Sequence, residues 1–580
     1  MQKIYRTFIG LLMAGVVISA CSKEYMEGMN TDSSKVEVLD PNMQLTTALL
    51  QTYGDFSLMD TYRSYITGLT QHFAGGWNVS NFAGSVNPED DQMRLLWDRM
   101  YTVSVKNLID GIVNSEDKPN VNAALRIHYV YLISVLTDVY GDVPCTEAGK
   151  GYIEKNSTPK YDKQEDIYDF FFTELAACVK QLGTGNDRIT GDVTSMAGDV
   201  AAWKRYANSL RMRFAMRISD VDPERAQQEF EDALIEAGGY IDTAAEDAYI
   251  KYMNSPFTSY EGAADYDFRV NALGAILYGQ DAESPTFVST TFYNLMKDNN
   301  DPRLYRICRH YLNLKRSNVT PDAEWNVDMT DEVLAYYERT DGVEIEPCNP
   351  GAAWWNNWVN PPANSEIPTL ERLVLKYPDA GFDKNNYHVR MLRPFLSIDF
   401  EQPDTPGFLI SSAEVNFLLA EAATKGWTVA GTAENYFKAG ISGAMAILND
   451  HYLGDDRKIS AAETEAYINR MVSGLATNAR EAINTQSWLL NFMNPSEAWA
   501  NLRRSDYPVL IDRSKLDKFE NDFTYPDPDM SAPTRLKYPV LESKYNTANY
   551  KEAIERLGGT DNWHAKVWWD KEDVNLRELN

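Results

Sequence analysis

The segment at residues 136–144 reads LTDVYGDVP and closes a strongly periodic part of the chain. From Leu125 to Val139, apolar residues recur at steps of four, three, four and three, which is the spacing of one helical face. Gly141 and Pro144 follow at once, and both residue types end helices. The segment therefore predicts an amphipathic helix with a sharply defined end.

Two further helices are predicted directly after this one. Asp162 and Glu165 form a capping-box pattern, which indicates a helix start. Apolar residues then continue at helical intervals as far as Leu182, with Cys178 on that face as a small core residue. Residues 202–218 continue as a helix rich in Arg and Met. The pattern indicates consecutive helices joined by loops.

A helix pair is also clear nearer the C-terminus. Residues 412–424 are predicted to be helical, with Gly426 as the C-terminal cap. The partner helix starts near Ala433 and carries Gly440 on its apolar stripe, where a small residue lets two helices approach closely. A later helix should begin at residues 494–497, where Asn, Pro, Ser and Glu combine an N-cap with a capping box. Such pairs resemble tetratricopeptide packing, although no regular period of about 34 residues is present.

The N-terminus predicts a lipoprotein signal. Residues 1–20 have a basic start, an apolar run at 8–18 and small residues at the end. That run is too short to span a bilayer, which needs about 20 apolar residues. Cys21 follows directly, which predicts lipid transfer to its thiol and cleavage just before it; an ordinary signal with a chance cysteine is the alternative. Residues 21–39 would then be a polar lipidated tether, and residues 40–580 the folded domain.

Composition excludes several classes of function. The net charge of −29 at pH 7 argues against nucleic acid and against electrostatic docking on anionic lipid. Four cysteines remain beside Cys21, widely spaced and without CxxC, so no disulfide scaffold is predicted and a single disulfide stays open. The six His form no HExxH, and neither GxSxG nor a P-loop appears. We therefore predict a binding protein without metal or cofactor, with a surface glycoside hydrolase as the enzymatic alternative.

Residues 237–409 differ from the helical parts, because they are rich in Asn, Pro, Gly, Asp and aromatics. Long irregular segments are usually functional or disordered, and so many aromatics argue against disorder. Aromatics make up 12% of the chain, and flat rings suit the flat faces of sugars and peptide groups. We therefore expect this loop-rich part to build the ligand-binding surface.

The predicted ligand-binding residues are loop aromatics with neighbouring amides. Gly75 and Gly76 give the backbone freedom to present the Trp that follows, with packing into the adjacent helices as the alternative. A second group has three Trp within five residues, and its Asn side chains offer donors and acceptors to sugar hydroxyls or peptide amides. The candidates are Trp77, Asn78, Phe82, Tyr266, Trp354, Trp355, Asn356, Asn357 and Trp358. Trp97 and Trp499 lie on apolar helical faces and are expected in the core.

Several segments together resemble the SusD/RagB family of outer-membrane nutrient-binding lipoproteins. Besides the lipidation motif at Cys21, they are LTDVYGDVP at 136–144, NDPRL at 300–304, AEVNFLLAEA at 413–422, TQSW at 485–488, EAW at 497–499, RR at 503–504, RLKYP at 535–539 and WWD at 568–570. Each segment is weak alone, but their order matches the family across nearly the whole mature chain. Cys145 departs from the pattern, where an aromatic is common, and this affects local packing only.

The resemblance implies a mainly α-helical protein, with four tetratricopeptide-like helix pairs and an irregular, loop-rich ligand-binding part. It also implies a partner, a SusC-type TonB-dependent β-barrel transporter, in the outer membrane of a Bacteroidota-type cell. The expected function is capture of a nutrient, first an oligosaccharide and otherwise a peptide, with a pure assembly or adhesion lipoprotein as the alternative. Motif residues such as Asp138, Asp142 and Arg503 are expected to be structural, because they lie at helix ends.

Overall fold

The computed structural model describes residues 39–255, 267–278, 286–313, 326–339, 344–351, 393–516 and 529–579. The predicted signal peptide, Cys21 and nearly all of the tether lie outside these ranges. The candidates Tyr266, Trp354, Trp355, Asn356, Asn357 and Trp358 lie outside them as well. Within the described ranges, no helix combines the length and the apolar character needed to cross a membrane.

Helices dominate the first part of the described chain. They are α1 (Pro41–Gly54), α2 (Phe56–Thr61), α3 (Thr67–Leu69), α4 (Trp77–Val79), α5 (Asp90–Arg99), α6 (Lys106–Val113), α7 (Pro119–Tyr140), α8 (Gln164–Gln181), α9 (Val200–Arg217) and α10 (Pro223–Ile235). Segments of π-helix follow α2, α4 and α5, at Tyr62–Ile66, Ser80–Gly84 and Met100–Val105. From α7 to α10, each helix packs on the next one in sequence.

The later helices repeat this arrangement. They are α11 (Ala272–Tyr278), α12 (Thr290–Asp298), α13 (Leu304–Ile307), α14 (Thr330–Arg339), α15 (Ser412–Thr424), α16 (Ala433–His451), α17 (Ala461–Thr477), α18 (Ala479–Leu490), α19 (Pro495–Ser505), α20 (Glu542–Tyr545) and α21 (Thr547–Arg556). From α15 to α19 each helix packs on the next, and α15 also contacts α9. Packing between sequence neighbours is typical of helical hairpins. The prediction of a mainly α fold with a tetratricopeptide-like scaffold is therefore confirmed.

The described residues also contain ten short strands, most of which lie between the two helical runs. They are β1 (Phe73–Ala74), β2 (Ala248–Ile250), β3 (Phe287–Val288), β4 (Cys308–Arg309), β5 (Tyr311–Asn313), β6 (Asn326–Asp328), β7 (Phe395–Leu396), β8 (Gly407–Ile410), β9 (Leu510–Ile511) and β10 (Leu576–Arg577). Four strands form an antiparallel sheet in the order β1-β3-β7-β4. Strand β2 pairs with β8, and β5 pairs with β6, both antiparallel. Strands β9 and β10 form a parallel pair. The described residues of the loop-rich part thus contain short strands and helices as well as loops.

The structure agrees with the sequence patterns at two helix ends and at one contact between helices. Helix α7 ends at Tyr140, and Gly141 has a φ of +87°, a value that favours glycine. Gly426 follows α15 with a φ of +78°. A Cβ atom at Gly440 would lie 2.4 Å from the ring of Phe417, so the close approach of α15 and α16 requires a glycine there. Apolar spacing and glycine position were thus enough to place these elements.

The predicted capping box at Asp162 is wrong. Helix α8 begins at Gln164, and its first N–H donates to Asp142 Oδ1 at 2.9 Å. Asp162 instead accepts the backbone N–H groups of Cys145 and Thr146, at 3.0 and 2.8 Å. The Asp162 carboxylate therefore binds the backbone of the loop at residues 145–146. It does not cap the start of helix α8, as the local spacing suggested.

The predicted capping box before α19 is also wrong, although the helix begins as expected. Pro495 occupies the first helical position, but the Asn494 side chain makes no cap hydrogen bond. Both carboxylate oxygens of Glu497 instead accept from Arg217 at 2.6 Å, and Arg213 lies 3.5 Å from one of them. A buried guanidinium is a stronger partner than a backbone N–H, because both groups are charged.

The core contains the residues that the helical faces predicted. Trp97 and Trp499 are buried, as expected. Cys145, Cys178, Cys308 and Cys348 are buried too, and none of the four is bridged. Cys178 therefore packs as the small core residue that its helix position predicted.

Candidate functional site

Among the predicted ligand residues within the described ranges, Trp77 is the most open to solvent. It begins the short helix α4, and its side chain is 47% exposed. Gly75 and Gly76 precede it, each with a φ of +68°, and Gly76 has a ψ of 167°. That last combination is essentially restricted to glycine. The two glycines therefore turn the chain so that the indole projects outward.

The backbone after Trp77 is unusual as well. Ser80–Gly84 is π-helical, and Val86 follows with a φ of +52°. A β-branched residue rarely adopts this conformation, because its side chain collides with the backbone. Strained backbone and π-helical turns concentrate at functional sites, where the surrounding structure holds them in place. We call residues 75–86 the Trp77 turn.

The Trp77 turn rests on buried aromatic rings. Phe82 is buried, and its ring lies edge-on to Trp77 at 5.7 Å between centroids. On its other side Phe82 contacts Tyr65 at 5.7 Å, and Tyr65 contacts Trp563 at 6.4 Å. Phe82 therefore supports the indole from below instead of facing solvent itself.

His72 anchors the loop that leads into this turn. Its ring stacks on Trp488 with centroids 3.9 Å apart, and its Nε2 donates to the Trp488 carbonyl oxygen at 3.0 Å. Burial lowers the pKa of His72 to about 3, against the smaller opposing effect of that hydrogen bond. His72 is therefore neutral at physiological pH and acts as a fixed aromatic support.

Gln71 ties the same loop to two other segments. Its side-chain amide donates to Ile511 O at 2.8 Å and accepts from Ile511 N at 3.1 Å, which joins it to β9. Its Oε1 also accepts from the Thr291 hydroxyl in α12. The loop before Trp77 is thus held by the backbone of Ile511 and the side chain of Thr291, both distant in sequence.

Amide side chains accompany the indole. Asn78 and Asn81 are both partly exposed on the Trp77 turn. Amides both donate and accept hydrogen bonds, so they suit polar groups of a ligand that lies on the ring. Asn78 was predicted from the sequence, whereas Asn81 was missed. Its position four residues after Trp77 was the available signal, because residues at that spacing share a helix face.

The loop-rich part approaches this turn from a second direction. A Cβ atom at Gly84 would lie 3.3 Å from the Cα of Gly351, so the two backbones are in close contact. Trp354 comes three residues after Gly351 in the sequence. The predicted group of three Trp and two Asn itself lies outside the described residues, as does Tyr266.

The family-motif residues lie in the core, away from this surface. Asp138 Oδ1 accepts from Tyr168 at 2.7 Å and from the Trp569 indole at 2.9 Å, and Arg217 lies 3.6 Å from Oδ2. Arg503 donates to the Asp138 carbonyl oxygen at 2.7 Å. These charged groups hold helix ends and C-terminal loop together from within.

Two further motif pairs are equally buried. Arg504 forms a bidentate pair with Glu421, with distances of 2.6 and 2.7 Å. Burial alone would raise the pKa of Glu421, but the charge of Arg504 outweighs it and lowers that pKa. Arg303 pairs with Asp301 at 2.6 Å. We call these motif residues and their partners the charged scaffold.

No metal centre is apparent in the described ranges, where no three His, Cys, Asp or Glu side chains are arranged to hold an ion. The candidate site is the aromatic surface of the Trp77 turn with its adjacent amides. Such a surface can bind a ligand by stacking and hydrogen bonding.

Two family profiles match the chain. One is described as "Starch-binding associating with outer membrane" and matches residues 35–333. The other is described as "Susd and RagB outer membrane lipoprotein" and matches residues 380–570. The first profile alone covers more than half of the chain.

Solved structures are similar over most of the chain. A SusD-like protein of Bacteroidetes AC2a is 37% identical, with a TM-score of 0.81, over 92% of this chain and all of that one. A chitin-binding protein is 29% identical, with a TM-score of 0.68, over 92% of this chain and all of that one. A SusD homolog from Bacteroides uniformis, at 22% identity and a TM-score of 0.64 over 92% and 99% of the two chains, shares the fold. A comparison with curated proteins gave no match.

Proposed function

Because the chain belongs to the SusD/RagB family of outer-membrane lipoproteins, we propose that it captures an oligosaccharide at the cell surface. It then delivers the ligand to a SusC-type TonB-dependent transporter. The protein binds and releases its ligand without catalysis. The observation that carries the proposal is the half-exposed indole of Trp77, held on a strained turn above buried aromatic rings.

The chemistry of the Trp77 turn supports a glycan ligand. A sugar ring has an apolar face that stacks on an indole, and its hydroxyl groups both donate and accept hydrogen bonds. Asn78 and Asn81 offer complementary groups beside the ring. The chitin-binding protein at 29% identity adds support for this ligand class. Stacking with a few hydrogen bonds suits a ligand that must be released, with a binding free energy of about −5 to −8 kcal/mol.

The remaining predicted residues complete the surface in this proposal. Trp354, Trp355 and Trp358, with Asn356 and Asn357, follow Gly351, whose backbone contacts the Trp77 turn at Gly84. Tyr266 belongs to the same loop-rich part of the sequence. We propose that these side chains also contact the ligand.

A binding measurement tests the capture proposal. Protein lacking residues 1–21 would be titrated with chito- and malto-oligosaccharides, and separately with short peptides, by calorimetry. We expect micromolar to high-micromolar binding of one oligosaccharide class, weakened by Trp77→Ala and by Trp355→Ala. Tyr152→Ala is the matched control, because Tyr152 is a fully solvated aromatic outside the Trp77 turn. Binding of peptides alone would redirect the proposal to peptide capture, and no binding of either class would favour an assembly or adhesion role.

The lipid anchor and the transporter form the second half of the proposal. Acylation of Cys21 would tether the protein to the outer membrane through residues 21–39, so each capture event stays local to one transporter. Mass spectrometry of the protein extracted from membranes should show an acylated Cys21 as the first residue. Affinity purification in mild detergent should recover a TonB-dependent β-barrel. Recovery of the protein without any such barrel would contradict the delivery step.

A further inference from the structure

A cavity of about 380 Å³ lies beside the parallel strand pair β9–β10. Its described walls come from α19, from both strands and from the C-terminal segments around Pro533 and Asp570. The volume is within the range of small-molecule sites, about 300–1,000 Å³. Trp77 is not among its described walls, although the cavity borders the Trp77 turn through Gln71, which precedes the turn, and through Arg513, which donates to Ala83 O.

Negative charge is in excess on the walls of this cavity. The acidic residues that line it are Asp512, Asp529, Asp570, Glu572 and Asp573. The guanidinium groups of Arg503 and Arg513 also reach the walls, but both donate to backbone carbonyl oxygens. Arg503 donates to Thr534 O at 2.6 Å, and Arg513 donates to Ala83 O. Both guanidinium groups keep their positive charge, and the five acids still outnumber the two arginines on the described walls.

Among the acids on the described walls, Asp570 is the one whose carboxylate a ligand would stabilise most. Its side chain is buried, with the residue 5% exposed, and its Oδ1 accepts no hydrogen bond from the described residues. The nearest ammonium, that of Lys566, lies 3.9 Å from Oδ1, beyond hydrogen-bond distance. The same ammonium lies 2.8 Å from Asp573 instead. A buried acceptor without a donor is costly, so a donor arriving in the cavity would be bound favourably.

We propose that this cavity binds a small organic cation whose primary ammonium group donates to Asp570. A charge-assisted hydrogen bond to a buried carboxylate is among the stronger polar contacts. The apolar groups of Met530, Pro533 and Val574 on the walls would contact the body of the ligand. Amino sugars and lysine side chains both supply this chemistry.

An organic cation fits the arrangement better than a metal ion. A metal needs several ligand atoms converging on one point. The described acids form no group of three that could hold such an ion. The carboxylates instead lie on separate segments of the wall, at Asp512, at Asp529 and from Asp570 to Asp573. Carboxylates that are spread over the wall, with apolar surface between them, suit an organic cation, which is larger than a metal ion.

Binding should depend on pH, because the ligand contacts the ionised form of Asp570. Burial raises the pKa of Asp570 to about 7; Arg503 and Lys566 oppose this shift, and Asp506 and Asp573 add to it. The remaining titratable or charged groups on the wall are Asp512, Arg513, Asp529, His564 and Glu572. Below its pKa the carboxyl group is protonated and must lose that proton to accept the ammonium. The apparent affinity should therefore fall by up to about tenfold for each pH unit below 7.

The probes are two ammonium compounds with matched neutral analogues. D-glucosamine would be compared with N-acetylglucosamine, and Nα-acetyl-lysinamide with Nα-acetyl-norleucinamide, by calorimetry on the full chain in detergent at about pH 8. We expect millimolar binding of an ammonium compound and none of its neutral analogue. Binding of only one ammonium compound would show whether the ligand's ammonium group belongs to an amino sugar or to a lysine side chain. Absence of binding by both, at up to about 10 mM, would overturn the proposal.

Variants separate this site from general electrostatic attraction. Asp570→Asn keeps the shape and removes the charge, and should weaken binding at least tenfold; Glu572→Gln at the exposed rim should weaken it less. Asp455→Asn makes the same charge change at an exposed carboxylate that pairs with Lys458, and should leave binding unchanged. Equal losses in the Asp570 and Asp455 variants would overturn the proposal. Trp77→Ala should not affect ammonium binding, so failure of this site and failure of glycan capture are distinguishable.

Discussion

The charged scaffold and the Trp77 turn differ in nearly every physical respect. In the charged scaffold, pairs such as Arg504 with Glu421 lie in regular helices, fully buried and with short, bidentate geometry. In the Trp77 turn, the backbone has positive φ values and a π-helical segment, and its principal side chain is half in solvent. In the charged scaffold, polar groups hold the helices together. In the Trp77 turn, an apolar side chain is presented to solvent.

This difference separates what identifies the family from what would bind the ligand. The motifs that carry the resemblance contain Asp138, Arg303, Glu421 and Arg503, and all four are buried. Their partners are other parts of the same chain, so they report on the fold. Trp77 belongs to none of these motifs. Recognition of the family and recognition of a ligand thus rest on different residues.

The largest effect should come from breaking a pair in the charged scaffold. Arg504→Met leaves Glu421 buried without its partner, and Asn484 and Asn501 also lose a donor. We expect the free energy of unfolding to fall by about 3–5 kcal/mol in chemical denaturation.

Arg94→Met is the control for this change. Arg94 pairs with Asp91 and Asp98 on the partly exposed face of α5, where an ion pair contributes about 0–1 kcal/mol. Equal losses in the Arg94 and Arg504 variants would show that the scaffold does not depend on buried charge pairs.

Removing the indole of Trp77 should weaken ligand binding and leave stability nearly unchanged, in contrast to the Arg504 change. Trp77→Ala should weaken glycan binding by about thirtyfold, or about 2 kcal/mol, because aromatic anchors dominate binding surfaces. The melting temperature should change little, since the indole is half exposed in the free protein. Calorimetry and thermal unfolding on the same sample check both parts. A large loss of stability with unchanged binding would make Trp77 part of the core and not of the ligand surface.

A backbone substitution tests whether the strain of the Trp77 turn serves binding. Gly76→Ala places a side chain at a φ of +68° and a ψ of 167°, which costs about 1–3 kcal/mol. We expect both stability and glycan affinity to fall. Gly239→Ala is the control, because Gly239 has a φ of +71° with open space around it. Both variants should lose stability, and only the Gly76 variant should lose affinity.

The smallest effect concerns a buried carboxyl group outside the ion pairs named above. Burial, with a contribution from the charge of Asp399, raises the pKa of Glu401 well above its usual range. A carboxyl whose pKa is raised by folding stabilises the protein below its unfolded pKa, and this stability is lost as pH rises. Glu401→Gln should therefore increase the free energy of unfolding at pH 8, with the advantage disappearing at acidic pH. Denaturation curves across pH would show it, and greater stability of the wild type at pH 8 would contradict it.

Sequence patterns predicted regular elements better than the contacts at their ends. Helix α7 stops at Tyr140 and α15 runs over Ser412–Thr424, as apolar spacing and glycine positions indicated. The capping boxes at Asp162 and Glu497 were both wrong. Helix periodicity is a local property, whereas a carboxylate bonds to the strongest donor within reach. For Glu497 that donor is the distant Arg217, whereas Asp162 is held by the nearby ammonium of Lys160 and by the backbone of Cys145 and Thr146.

The candidate site was predictable only in part. Two consecutive glycines before Trp77 indicated a presented side chain, and the structure has that side chain half exposed. Phe82 was named with it, but its ring lies beneath the indole as support. Asn81 was missed, because its spacing of four residues from Trp77 indicates a shared face only when the segment is known to be helical. The ligand role of all these residues stays a prediction until binding is measured.

The sequence by itself determined the helical scaffold and the family, because periodicity and ordered motifs are properties of the linear chain. Only the tertiary structure decided which residues meet. It brought Gln71 to Ile511 and Gly84 to Gly351, and it enclosed Asp570 in a charged cavity. Contacts between such distant positions depend on how the helices pack. The two residues of each contact therefore meet only when the whole chain has folded.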